Sequence, residues 1–109
     1  MARLASSFWV QAYLARLGFA NIPAYVVAHG DDTAGAVLVK LNLLNGEAQC
    51  FQRVNRADGA RVWAELARGD ESEVDAAIAR QRRFDSDIWV IEVEDRAGRH
   101  LLDEPGLDH

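Results

Sequence analysis

The chain lacks most of the residues by which a sequence gives away its chemistry. Cys50 is its one cysteine, so no intramolecular disulfide can form, and the paired CxxC spacings of zinc sites are absent. That usage suits a reducing, cytoplasmic setting. The glycines form neither GxGxxG nor a P-loop. No serine stands in a GxSxG elbow or close to a histidine, so nucleotide-dependent chemistry and nucleophilic catalysis leave no signature. Long apolar runs are missing too. The acid-free start, with Arg3 and Arg16, is broken by Gln11 and Arg16, and reads as a folded helix rather than a leader or an anchor; no membrane association is expected. Without repeats, low-complexity runs or linker-like stretches, the expected organisation is one domain over residues 1–102 and a loose tail over 103–109.

What remains is globular composition: 50% hydrophobic and 27% charged residues, with a net charge of −5. Lys40 is the lone lysine beside eleven arginines. An acidic domain needs clustered cations to hold a phosphate backbone. The one basic run, Arg80-Gln81-Arg82-Arg83 before Phe84, falls in a helix's last turn, where the macrodipole favours cations, and Asp85 and Asp87 follow it. No nucleic-acid partner is expected.

Ser6 or Ser7 is placed to cap a first helix running to about Leu17, with Val10, Tyr13, Leu14 and Leu17 on one face and Gly18 as the stop. Ala24 to His29 is rich in β-formers and reads as a mostly buried strand. Ala36 to Leu44 alternates, with Val37, Val39, Leu41 and Leu43 on the core side and Lys40 and Asn42 opposite. Asn45-Gly46 predicts a type I′ hairpin into Glu47 to Val54, and Asp58-Gly59 a second turn into 61–66, which fits a strand or a short helix and reads better as a strand. Ser72 and Asp75 form a capping-box pattern opening a helix to Arg83. Ile88 to Glu94 is the most emphatic strand, and Arg99 to Leu102 reads as a short last one. The expected fold is α+β, a mainly antiparallel sheet of five or six strands with two helices covering one face, in the order α-β-β-β-β-α-β-β.

Five carboxylates cluster at Asp85, Asp87, Glu92, Glu94 and Asp95, and the period of two puts Glu92 and Glu94 on one strand face. Such a pair suits a divalent cation, with Lys40 adding charge stabilisation as in a small metal-dependent phosphoesterase. The plainer reading is a solvated face, its glutamates neutralised by Arg53, Arg61 and Arg99. His29 with Asp31 and Asp32, and His100 with Asp103, offer acid–base pairs, or ordinary turn chemistry. Trp9, Trp63 and Trp89 are expected to anchor the core; Trp63, if exposed beside a free edge, would instead mark a partner surface.

FWVQAYLARL, IPAYVV, GAVLVKLN, the Asp-Gly turn followed by Trp63, and IARQRRFDSDIWVIEVEDRAGRH together resemble a small, mostly alphaproteobacterial family called domain of unknown function 1491. The resemblance spans nearly the whole chain and implies a small bacterial domain; it brings no catalytic residues with it. The leading expectation is a non-enzymatic binding or regulatory module acting through a protein partner or self-association, with no cofactor. The alternative is a metal-dependent hydrolase using Glu92, Glu94 and Lys40.

Overall fold

In a computed structural model residues 4–108 are described; Arg3 and His109, the last residue of the expected tail, lie outside them. Five strands form one sheet: β1 (Ala24–Ala28), β2 (Val37–Asn42), β3 (Glu47–Asn55), β4 (Arg61–Asp70) and β5 (Trp89–Glu94). Two helices complete the fold, α1 (Ser6–Phe19) and α2 (Glu71–Phe84).

The spatial order is β1-β5-β2-β3-β4. The tight connections make β2–β3 and β3–β4 antiparallel, and β1 pairs antiparallel with β5. β5, however, inserts between β1 and β2 and runs parallel to β2, setting Glu92 beside Lys40. The expected mainly antiparallel sheet is therefore a five-stranded mixed one, in the chain order α-β-β-β-β-α-β. The reason lies in α2, which carries the chain from the β4 edge back across the sheet and delivers β5 into its middle. The continuous apolar run of β5 fits that place, since only a central strand is buried on both faces. Arg99 to Leu102 form no strand: the chain turns at Asp95, which accepts from the Arg99 amide, and Leu101 takes a positive φ of 61°.

Each helix covers its own face, correcting the expectation that both share one. Beneath α1, Trp9, Val10, Tyr13 and Leu17 pack on Val37, Val39, Leu41, Ile91 and Val93. Beneath α2, Val74 and Ile78 pack on Leu38, Ala48, Cys50 and Val90. The alternation of β2 thus separates two cores rather than core from solvent.

Local chemistry differs from expectation at several ends. Neither Ser6 nor Ser72 caps a helix through its side chain. The Ser6 and Ser7 amides donate to the Thr33 and Asp32 carbonyls, and the Ser6 hydroxyl donates to the Gly35 carbonyl. The turn after β2 is wider than type I′: Leu44 and Gly46 take positive φ, while the Asn42 and Asn45 side chains accept from the Leu44 and Glu47 amides. β4 confirms the strand expected over 61–66 and continues to Asp70. β1, expected mostly buried, is an edge strand with Tyr25, Val26 and Val27 exposed. The tail expected to be loose is seated: Leu107 is buried, its carbonyl accepts from the Trp63 indole at 2.7 Å, and Arg16 pairs with Glu104.

Candidate functional site

Lys40 was expected to face solvent, but α2 lies over it and leaves it 5% exposed. An ammonium out of water must be paired. Its Nζ lies 2.7 Å from Glu71 Oε2, 2.7 Å from Asp75 Oδ1 and 3.3 Å from Glu92 Oε1. Burial opposes the charged form, yet the hydrogen bonds to Asp75 and Glu71 and the charge of Glu92 outweigh it and hold the Lys40 pKa above the ordinary lysine value. Glu92 Oε2 accepts from the Tyr25 hydroxyl at 3.1 Å and from Asn42 Nδ2 at 3.3 Å, and Asn42 also donates to Glu71.

Lys40 and Glu92 are thus brought together, as adjacent parallel strands require. Glu94 is not: it lies next on the same strand face, and its carboxylate makes no hydrogen bond or ion pair with a described residue, only its backbone amide donating to the Pro23 carbonyl. The metal reading asks Glu92 and Glu94 to share a cation, whereas both Glu92 oxygens are committed to Lys40, Tyr25 and Asn42. Among the described residues no group of three or more His, Cys, Asp or Glu side chains is arranged to hold a metal ion. Catalytic lysines work with a pKa brought down toward neutrality, and this one moves the other way. Chemically the cluster is a clamp, fastening the first turns of α2 to β2 and β5.

The sequence hid the clamp because Asp75 read as half of a capping box and nothing singled out Glu71. The only signal was a lone lysine amid an apolar strand. Cys50, paired with Lys40 across the β2–β3 ladder, is fully buried, and burial pushes its thiol pKa up to about 12.

The remaining carboxylates serve locally. Asp85 accepts from the Asp87 amide, and Asp95 binds Arg99, whose hydrogen bonds hold the Asp95 carboxyl below its ordinary pKa. Arg99 therefore does not neutralise the glutamates. Neither does Arg53, which points to the α1 side and stacks its guanidinium over Trp9 at 4.4 Å and Trp63 at 5.0 Å. Trp63 itself is half-buried, packed on Trp9 and tied to the tail.

The histidine pairs resolve as turn chemistry. Asp31 accepts from the Thr33 and Ala34 amides, and His29 meets Asp32 only at the surface, at 3.4 Å. His100 Nδ1 accepts from the Leu102 amide, its ring packs on Phe51, and burial holds its pKa below the usual histidine value.

The most distinctive surface is the outer edge of β1. Tyr25, Val26 and Val27 are 48%, 38% and 52% exposed, and just upstream Phe19 is 88% exposed. The strand carries no charge. The opposite edge, β4, carries Arg61, Glu65, Arg68 and Asp70. No helix among the described residues is long and apolar enough to cross a membrane.

A family model described as a protein of unknown function, DUF1491, matches residues 4–103. Among solved structures, the crystal structure of a DUF1491 family protein from Caulobacter crescentus CB15 is 43% identical, with a TM-score of 0.86, and the match covers 94% of this chain and 98% of that one. An NMR structure of a DUF1491 family protein from the same organism is 42% identical, with a TM-score of 0.82, over 96% of this chain and 97% of that one. A solution structure of a protein from A. tumefaciens is 31% identical, with a TM-score of 0.73, over 85% and 86%. A comparison with curated proteins finds no match. The chain therefore belongs to the DUF1491 family, whose function is unknown.

Proposed function

We infer that this chain is a non-enzymatic module that acts through protein–protein contact, and that its contact surface is the outer edge of β1. The observation that carries this reading is an uncharged edge strand with three exposed apolar side chains. An edge presents unpaired N–H and C=O groups, and proteins usually blunt it with charges, bulges or cover. The β4 edge has charges. Among the described residues the β1 edge has only a bulge between Val26 and Ala28.

A second copy of the chain is the occupant that this strand fits. The Pro23 carbonyl accepts from the Glu94 amide, so Pro23 and, two residues on, Tyr25 turn their polar groups toward β5, while Ala24 and Val26 turn theirs outward. Antiparallel self-pairing centred on Val26 then sets Tyr25 of each strand against Val27 of the other, an aromatic–β-branched pair at both ends. No like charges meet. So short a strand gives an interface at the low end of the size range, below about 1,200 Å², so the association is weak and concentration-dependent.

Sedimentation equilibrium tests the reading. The wild-type chain is expected to dimerise with rising concentration, and Val26→Lys to stay monomeric while keeping its circular dichroism spectrum. A wild-type chain that is monomeric at every concentration, or a Val26→Lys chain that dimerises equally well, refutes it.

A further inference from the structure

Arg53 is a charged residue with a buried, unpartnered donor. It lies on β3, on the α1 side, with its guanidinium stacked on Trp9 and Trp63. Its Nε is buried with no hydrogen-bond partner, and so is the indole Nε1 of Trp9 in the same stack. No described carboxylate pairs with it. Buried donors are ordinarily satisfied, and a guanidinium offers five of them in a planar fork matched to oxyanions.

The same side chain lines a cleft of about 480 Å³ at the end of the sheet, between the start of α1 and the end of α2. Asn55 and Arg61, cross-strand partners on β3 and β4, line it on one side. Ser6 and Gln81 add polar groups from the two helices, and Phe84, 90% exposed, stands at its rim. The one acid in its wall, Asp85, has an oxygen turned to the Asp87 amide. In a chain of net charge −5, two arginines thus converge on one concave, partly apolar surface. That volume is the size of a small-molecule site.

We propose that this cleft binds a small oxyanion carried on an apolar or aromatic body, a carboxylate or a phosphate monoester, with the Arg53 guanidinium as its principal anchor. The two tryptophans hold the guanidinium flat and cost it little conformational freedom, so its fork is pre-organised before the anion arrives. Arg61 adds a second positive charge from the neighbouring strand, and the apolar wall by Phe84 takes the body of the ligand. The site is far from β1 in the sheet order, so it stands or falls independently of self-association.

The experiment titrates the wild-type chain with benzoate, phenyl phosphate and inorganic phosphate, following the Arg53 Nε–H resonance and the amides of Asn55, Arg61 and Phe84 by NMR. Binding of benzoate or phenyl phosphate is expected with a Kd on the order of 1 mM, with shifts confined to the cleft. Whichever of the two binds tighter identifies the headgroup, and inorganic phosphate, lacking the apolar body, is expected to bind more weakly than either. Arg53→Met, which keeps apolar bulk over the tryptophans, should weaken binding about ten-fold or more. Arg53→Lys, which keeps the charge without the fork, should fall between. No saturable shift with any of the three probes overturns the proposal. So does binding unchanged in a folded Arg53→Met, or shifts that map to Arg80, Arg82 and Arg83 instead.

Discussion

The two faces of the sheet are closed by opposite means. On the α1 face the seal is bulk: two tryptophans and a tyrosine, packed with rings 4.8 Å and 5.3 Å apart, join aliphatic residues of β2 and β5 in one core. On the α2 face the apolar patch is smaller, and the helix is fastened by a buried lysine shared among three carboxylates. Apolar burial is undirected and tolerates small shifts, whereas an ion cluster fixes one position of the helix and punishes any partial loss. With both faces spent in this way, the surfaces left for contact are the sheet's edges and its open end.

This contrast breaks most readily at its ionic side. Lys40→Ala leaves Glu92 buried without its counter-charge and should cost roughly 3–5 kcal/mol, measured by urea unfolding. A loss below about 1 kcal/mol would mean that the cluster is solvated and that α2 is held by its apolar residues alone. On the other face, Trp9→Ala removes a buried ring and should cost about 3–5 kcal/mol, through cavity formation rather than charge. The salt response should separate them, because added salt screens what is left of the ion cluster and hardly touches the aromatic stack.

Cys50 offers a kinetic reading of the α2 face. A fully buried thiol with its pKa pushed up to about 12 should resist a thiol reagent such as Ellman's in the native protein and react on unfolding. Lys40→Ala should speed that labelling and Trp9→Ala should speed it less; equal acceleration would show that the two faces open together.

A smaller effect belongs to pH. The folded His100 pKa lies below its ordinary 6.5, because burial disfavours the cation, and Nδ1 must stay unprotonated to accept from the Leu102 amide. The unfolded chain therefore takes up the proton first. Stability is fully present above pH 6.5 and falls as pH drops toward the folded value. Asp95, depressed by Arg99, adds a second loss once pH falls below the ordinary 3.8. Unfolding midpoints at about pH 7.5 and about pH 5.5 check the first step, and His100→Asn, which keeps an acceptor, should flatten it.

Much of this fold is legible in the sequence, and the parts that are not share a cause. Two-residue periodicity located β2, a run of β-forming residues located β5, and the Asp58-Gly59 turn led correctly into β4. Periodicity says which residues share a face but not what lies above it. Val37, Val39 and Leu41 read as the buried side and Lys40 as the solvent side, because nothing local announces that α2 returns over Lys40. The parallel placement of β5 is equally non-local, set by where a helical crossover lands. The β1 segment misled through composition, since β-branched residues suit an edge as well as a centre. Of the candidate residues, Lys40 and Glu92 do meet, as an ion pair. Arg53 was placed against the glutamates because strand proximity was read without the face, and the stack with Trp9 joins residues 44 positions apart.

With the faces closed, the account rests on β1 as the free edge that another chain pairs with. An amide NMR dilution series on the uniformly labelled wild-type chain tests this most directly. The prediction is concentration-dependent shifts at Ala24 and Val26, whose amides point away from β5, with Tyr25 and the β4 residues unmoved. Shifts that cluster on β4, or none anywhere across the series, would contradict it.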